Sequence, residues 1–171
     1  MLLHRPAAPT LTALTLAAIA FSAAIYAIMG FVNNGLLPYT ILDLEFATPP
    51  ARLGEMATVW GASGIEAARQ SLWLDYAFIP CYVLALSGLT LIVARAANGA
   101  WQRVGLVVLG LPVIAGLFDV VENTLLLGDL PPAGGVGLWG AAVSAGLKFA
   151  LLAVTLVYIL AALARKVFGR P

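Results

Sequence analysis

The 171-residue chain is 62% hydrophobic and only 10% charged, with a mean hydropathy of +1.00. Soluble domains carry roughly 25% charged residues, so these values favour a single membrane-embedded domain over residues 1–171. The net charge of +1 argues against nucleic acid as a partner, because such partners require a basic patch. One cysteine (Cys81) and one histidine (His4) exclude a disulfide framework, a thiolate or histidine metal centre and a haem held by two histidines.

Four apolar segments are long enough to cross a bilayer, which takes about 20 residues of α-helix. They run over about residues 11–32, 72–94, 104–127 and 136–164. The first exceeds the apolar region of a signal peptide, roughly 7–15 residues, so we interpret it as a retained span. The predicted fold class is all-α, an integral membrane four-helix bundle with a loop at 33–71 between the first and second spans.

The cationic residues are distributed unequally between the two sides of this bundle. With four spans, both termini and the turn at 95–103 share one side. That side has six cationic residues, Arg5, Arg95, Arg103, Arg165, Lys166 and Arg170, against Arg52 and Arg69 on the other. The positive-inside rule therefore predicts that both termini are cytoplasmic.

The loop contains a predicted helix of its own. Thr48 precedes two prolines, which is typical of a capped helix start, and apolar residues then recur at helical spacing: Leu53, Met56 and Trp60. Residues 61–64 should break this helix, and Ser63 with Glu66 has the capping-box spacing that restarts one into the second span. We interpret the segment as an amphipathic helix shielding the helix ends, with a lid over a cavity as the alternative.

Prolines also fall inside two predicted spans. Pro80 in the second and Pro112 in the third should interrupt the helical hydrogen bonds and free the carbonyls of Tyr76 and Val108. Gly128 is the predicted end of the third span.

Charged side chains at membrane depth are the most informative feature. Each costs roughly 2.5–3.5 kcal/mol at the centre of a transmembrane helix, yet Lys148 lies within the fourth span, and Asp119 and Glu122 share a helix face in the third. At about 1.5 Å per residue, Asp119, Glu122 and Lys148 lie roughly 12, 8 and 18 Å from the outer ends. Because a lysine side chain can extend toward the interface, we expect Lys148 to reach Asp119.

Further polar residues accompany these charges. Asn123 follows Glu122, and Asp75 begins the second span with Tyr82 two turns later. Polar stripes also follow the first and fourth spans: Thr15, Ser22, Tyr26 and Asn33, then Ser144, Lys148 and Thr155. The predicted ligand-binding residues are Asp75, Tyr82, Asp119, Glu122, Asn123 and Lys148, around a polar interior that opens outward.

These charges allow a functional and a structural interpretation. Three carboxylates and one lysine cannot all be charged at low cost in a small dry space, so we expect Asp119 or Glu122 to hold a proton near neutral pH. The same side chains could instead only fix the register of the helices, because lipid provides no hydrophobic drive for helix association.

Two segments resemble a group of small bacterial four-span membrane proteins. Residues 74–80 read LDYAFIP, similar to the LDxxFxP-like segment of that group, and residues 116–123 read GLFDVVEN, which contains its DxxEN segment. The resemblance covers the loop and the second and third spans, about half of the chain. It implies a multi-pass protein of the bacterial plasma (inner) membrane, and it carries over no catalytic role because no activity is established for the group.

The leading interpretation is a non-enzymatic protein that binds a lipid-like or small cationic ligand in an outward-facing polar pocket, or an accessory or scaffold subunit. Its expected partners are membrane lipid, a hydrophobic or cationic small molecule, and further copies or a larger membrane complex. One alternative is an enzyme doing acid–base chemistry on a lipid, with Asp119, Glu122 and Lys148 as candidate catalytic residues. Another is a proton-coupled carrier, although no inverted repeat is visible. No nucleophile, metal site or cofactor motif accompanies the charges, and we expect no cofactor.

Overall fold

The computed structural model describes residues 6–133 and 135–168, and this part of the chain is helical without any strand. The helices are α1 (Ala8–Asn33), followed by a 3₁₀ turn (Asn34–Leu36), then α2 (Ile41–Glu45), α3 (Pro50–Ala96), α4 (Ala100–Val108), α5 (Leu111–Gly128) and α6 (Leu138–Phe168). Four stretches are long and apolar enough to cross a membrane: Ala8–Leu36, Pro50–Ala96, Ala100–Gly128 and Leu138–Phe168. The predicted all-α fold with four spans is confirmed. His4, Arg5 and Arg170 lie outside the described residues.

The central element of the bundle is α3, which packs against α1, α4, α5 and α6. The helices α5 and α6 also pack closely on each other, whereas α1 makes its extensive helix contact with α3 alone. A close approach at Gly88 allows that contact, since a Cβ at this position would collide with Thr15 of α1. As a result, α1 and α6 lie on either side of a cavity beside α3 and do not pack against each other.

The N-terminal part of α3 lies in the loop region, as predicted. Leu53, Met56 and Trp60 are all buried. They pack with residues of α2 and of the adjoining ends of α5 and α6, so this segment covers the helix ends. The predicted break occurs at Gly61, whose φ of 60° and ψ of −167° form a combination essentially restricted to glycine. Thr48 was wrongly predicted as the cap: Pro49 occupies the N-cap without a side-chain hydrogen bond.

The short helix α2 was not predicted. It begins with a capping box, in which the Thr40 backbone N–H donates to Asp43 Oδ2 at 2.9 Å and the Asp43 N–H donates to Thr40 Oγ1 at 3.3 Å. Leu44 on its inner face is fully buried, and the Trp60 indole N–H donates to the Leu36 carbonyl just before α2. These contacts fold the loop back over one end of the bundle.

The third span is interrupted directly before Pro112, as predicted. The interruption is a turn at residues 109–110, which joins two helices, α4 and α5. Pro112 lies in the first turn of α5, where its missing N–H costs no hydrogen bond. Pro80 lies inside α3 as predicted, and α5 ends at Gly128 as predicted.

The two ends of the bundle differ in charge. We call the end that carries α2 the acidic end and the end that carries the α3–α4 turn at 97–99 the basic end. All eight Asp and Glu residues of the chain lie between positions 43 and 129. Residues 76–118 also contain none, so no acidic residue belongs to α4, to α6 or to the last twenty-one residues of α3.

Candidate functional site

Lys148 of α6 is surrounded by three carboxylates. Its Nζ lies 2.8 Å from Glu122 Oε2, 3.1 Å from Asp119 Oδ1 and 3.6 Å from Glu45 Oε1. Lys148 keeps 5% of its surface exposed, Asp119 2% and Glu122 none. Burial of this kind requires paired charges, because an isolated charge in an apolar interior is far too costly.

The remaining predicted site residues lie beside this cluster. The Tyr82 hydroxyl donates to Asp119 Oδ2 at 2.8 Å, so both oxygens of that carboxylate are engaged. The Asn123 side-chain amide donates to Asp75 Oδ2 at 2.6 Å. The structure thus brings all six predicted residues to the interface of α3, α5 and α6. Whether Asp119 or Glu122 holds a proton stays a prediction.

The local sequence explains how α5 presents its polar residues. Asp119, Glu122 and Asn123 follow i, i+3 and i+4 spacing, which places them on one face, and all three are buried. One turn earlier, Gly116 lets α5 approach α3, since a Cβ there would lie 2.8 Å from Val83 Cγ2. This close approach brings Asp119 within hydrogen-bonding distance of Tyr82.

Glu45 is the site residue that the sequence analysis missed. It lies on α2, in the loop, and is brought to Lys148 by the packing of the loop over the bundle. Burial raises the pKa of its carboxyl, the positive charge of Lys148 opposes that rise, and the negative charge of Asp119 reinforces it. The only local signal was the Thr40–Asp43 capping box, which starts the helix that carries it.

The cluster contains more acidic than basic groups. Four carboxylates, those of Glu45, Asp75, Asp119 and Glu122, lie near the single ammonium of Lys148. Among the described residues, Glu122 Oε1 and Glu45 Oε2 are buried without a hydrogen-bond partner. Such atoms normally have a partner, so the cluster has unused capacity for a proton donor or a cation.

A cavity of about 760 Å³ begins at this cluster. Glu45, Asp75, Tyr82, Asp119 and Lys148 line its polar end. The rest is apolar and extends between α1, α3 and α6 toward the basic end; its lining there includes Ile19, Ala85, Leu86, Leu89, Leu152 and Leu156. The rise of a helix places Leu89 about 21 Å from Asp75 along α3.

The cavity also has a side opening, and the loop contributes to its lining. Several lining residues on its flanks remain exposed, among them Tyr26 of α1 and Leu156 of α6, because these two helices do not close on each other. Residues 39–42 of the loop, which precede Glu45, also line the cavity.

Part of the predicted polar stripes contributes to the cavity. Ser22, Tyr26 and Asn33 of α1 line it, while Thr15 is buried against α3. Ser144 and Thr155 of α6 are buried but are not among the cavity-lining residues. Within residues 6–133 and 135–168, no three His, Cys, Asp or Glu side chains are grouped so as to hold a metal ion.

No protein-family model, no curated protein and no solved structure matches this chain. The resemblance to the bacterial four-span group stays a prediction.

Proposed function

We propose that the protein binds a cationic amphiphile, a lipid-like molecule with an amine head group and an apolar chain, in the cavity between α1, α3 and α6. The observation that carries this proposal is that one continuous cavity has an acidic end and is lined mainly by apolar side chains along the rest of its length.

The dimensions of the cavity support an apolar chain as the main body of the ligand. Its volume of about 760 Å³ lies within the roughly 300–1,000 Å³ typical of small-molecule sites. From Asp75 at the polar end to Leu89, the cavity follows α3 for about 21 Å, which suits a long chain better than a compact ring system. Leu86, Leu89 and Leu152 would line this chain.

The charge of the polar end supports a cationic head group. One lysine cannot neutralise four carboxylates, and an ammonium group would supply both positive charge and hydrogen-bond donors. Glu45 Oε2 is an acceptor without a partner in the described part of the chain, on a residue that lines the cavity. An anionic head group would instead face repulsion from Glu45, Asp75 and Asp119.

The side opening supports entry from the bilayer. A ligand dissolved in lipid could pass between α1 and α6 without leaving the apolar phase, and its head group would then move to the acidic end. The loop residues 39–42 also line the cavity and would limit its exchange with water.

For location, we propose the plasma (inner) membrane of a bacterium with both termini in the cytoplasm. The described cations at the basic end, Arg95, Arg103, Arg165 and Lys166, support this orientation through the positive-inside rule. The acidic end of the cavity would then face the outer side.

A second candidate function is acid–base catalysis on the same ligand. The hydrogen bond from Tyr82 to Asp119 favours it, because both residues line the cavity next to Lys148 and together form a possible proton-transfer path. The two functions differ in the fate of the ligand: a binding protein returns it unchanged, whereas an enzyme converts it.

Mass spectrometry of the molecules that co-purify with the protein tests the proposal. Ala85→Trp would fill the apolar part of the cavity, and Leu84→Trp is the matched control, because Leu84 is exposed and does not line the cavity. We expect a cationic amphiphile on the wild type and on Leu84→Trp, and its loss from Ala85→Trp. Equal retention by both variants would contradict the proposed site.

A further inference from the structure

A second cavity, of about 210 Å³, lies at the basic end of the bundle. It is formed by the end of α3, the α3–α4 turn, the start of α4 and the last turns of α6. Asn98, Trp101, Arg165 and Lys166 give it a polar side, and Val93 and Leu163 belong to its apolar side.

The two cations that line this cavity have no acidic partner among the residues that the structure describes. No described carboxylate forms an ion pair with Arg165 or Lys166. The acidic residues all lie outside α4, α6 and the last part of α3. The positive charges of Arg165 and Lys166 are therefore available to an external anion.

Aromatic packing holds one of these cations in place. The Arg165 guanidinium lies over the Trp101 ring, 5.5 Å from its centroid. Trp101 packs in turn on Tyr158, whose hydroxyl donates to the Trp101 carbonyl at 3.0 Å. Gly105 makes room for this arrangement, since a Cβ there would collide with the Tyr158 hydroxyl. A guanidinium stacked in this way keeps its N–H donors free at the edge of the group.

We propose that this cavity binds the phosphate-bearing head group of an anionic membrane lipid, with Arg165 and Lys166 contacting the phosphate. Basic pockets between transmembrane helices have the chemistry that such head groups require, and the bidentate donor geometry of arginine matches phosphate oxygens. The apolar side at Val93 and Leu163 would contact the first part of an acyl chain, which free phosphate lacks.

This site is independent of the amphiphile cavity. Lys148 and Arg165 are seventeen residues apart on α6, which corresponds to about 26 Å. The two cavities also prefer opposite charges, so the anionic lipid does not compete for the acidic cluster.

The test uses the full-length protein in nanodiscs of phosphatidylcholine mixed with an equal amount of phosphatidylglycerol. Native mass spectrometry then measures how much of each lipid stays bound. On the wild type, we expect phosphatidylglycerol to be enriched about tenfold over phosphatidylcholine. The double variant that combines Arg165→Gln with Lys166→Gln should lose that enrichment. The charge-preserving pair Arg165→Lys with Lys166→Arg should retain part of the enrichment, because both positive charges stay while the stacked guanidinium is lost. This retained part separates a loss of binding from a folding defect.

Arg103→Gln is the matched control, because Arg103 is an exposed cation near this end that does not line the cavity. It should leave the enrichment unchanged, and an equal loss in this variant would overturn the site. Absence of enrichment on the wild type would overturn it as well. Inorganic phosphate should not stabilise the protein in pure phosphatidylcholine, and stabilisation equal to that from phosphatidylglycerol would indicate a soluble anion and overturn the lipid assignment.

Discussion

Glu45 on the short helix α2 and Lys148 in the middle of α6 form an ion pair, with 3.6 Å between Oε1 and Nζ. The pair joins a loop to a membrane-spanning helix, and both residues are buried. The loop therefore supplies part of the acidic cluster, besides covering the helix ends.

Glu45 should make the stability of the protein dependent on pH. Because folding raises its pKa above the ordinary value of 4.5, the folded state holds the proton more tightly than the unfolded state. The contribution of the protonated Glu45 carboxyl to the free energy of unfolding is present below pH 4.5. It is lost as the pH rises through the pKa of Glu45 in the folded state. In the wild type, Glu45 should therefore lower the thermal unfolding midpoint as the pH rises from acidic to neutral. Glu45→Gln should make this decrease smaller. Glu55→Gln, at an exposed position, is the control and should keep the wild-type slope.

Lys148→Met should destabilise the protein strongly, by about 3–5 kcal/mol, because it leaves buried carboxylates without a cation. The thermal unfolding midpoint in detergent measures the effect. Arg103→Met removes an exposed cation and should change that midpoint little. Adding Glu122→Leu to Lys148→Met should recover part of the loss, and no recovery would argue against charge imbalance as the cause.

Gly61→Ala should cost about 1–3 kcal/mol, because the φ and ψ of Gly61 lie in a region that is closed to residues with a side chain. No atom lies within 4 Å of an added Cβ, so any destabilisation reports backbone strain alone. Gly54→Ala in the same helix also meets open space, at an ordinary φ, and should be neutral or stabilising. Equal effects of the two substitutions in thermal unfolding would contradict this account.

Gly88→Ala should separate α1 from α3, because the new methyl group would collide with Thr15. We expect a loss of about 1–3 kcal/mol, as for other overpacked contacts. Gly146→Ala in α6 meets no atom within 4 Å and should be neutral or slightly stabilising. The two substitutions are compared by thermal unfolding, and distance measurements between spin labels on α1 and α3 would detect the separation directly.

The sequence predicted those features that depend on local pattern. The length of the apolar runs identified the four spans, and the i, i+3 spacing of Asp119 and Glu122 placed them on one face. The glycines at 61–64 marked the kink. The short connection between the third and fourth spans was enough to predict that Lys148 reaches Asp119.

The features that could not be predicted from the sequence depend on long-range packing. Glu45 reaches the cluster only because Leu44 and Trp60 fold the loop over the bundle. The cavity exists because α1 and α6 fail to close on each other, which no local pattern encodes. Pro112 predicted an interruption of the third span, but no local pattern showed that a turn at residues 109–110 divides this span into two helices.

Binding of probes that share one chain length and differ only in the head group tests the central claim most directly. A long-chain amine, alcohol and carboxylate would be compared by the shift of the thermal unfolding midpoint in detergent, since a ligand that binds the folded state stabilises it. The account predicts the largest shift with the amine, a smaller one with the alcohol and none with the carboxylate, and a reduced amine shift in Asp75→Asn. Equal shifts with all three probes, or the largest with the carboxylate, would contradict it.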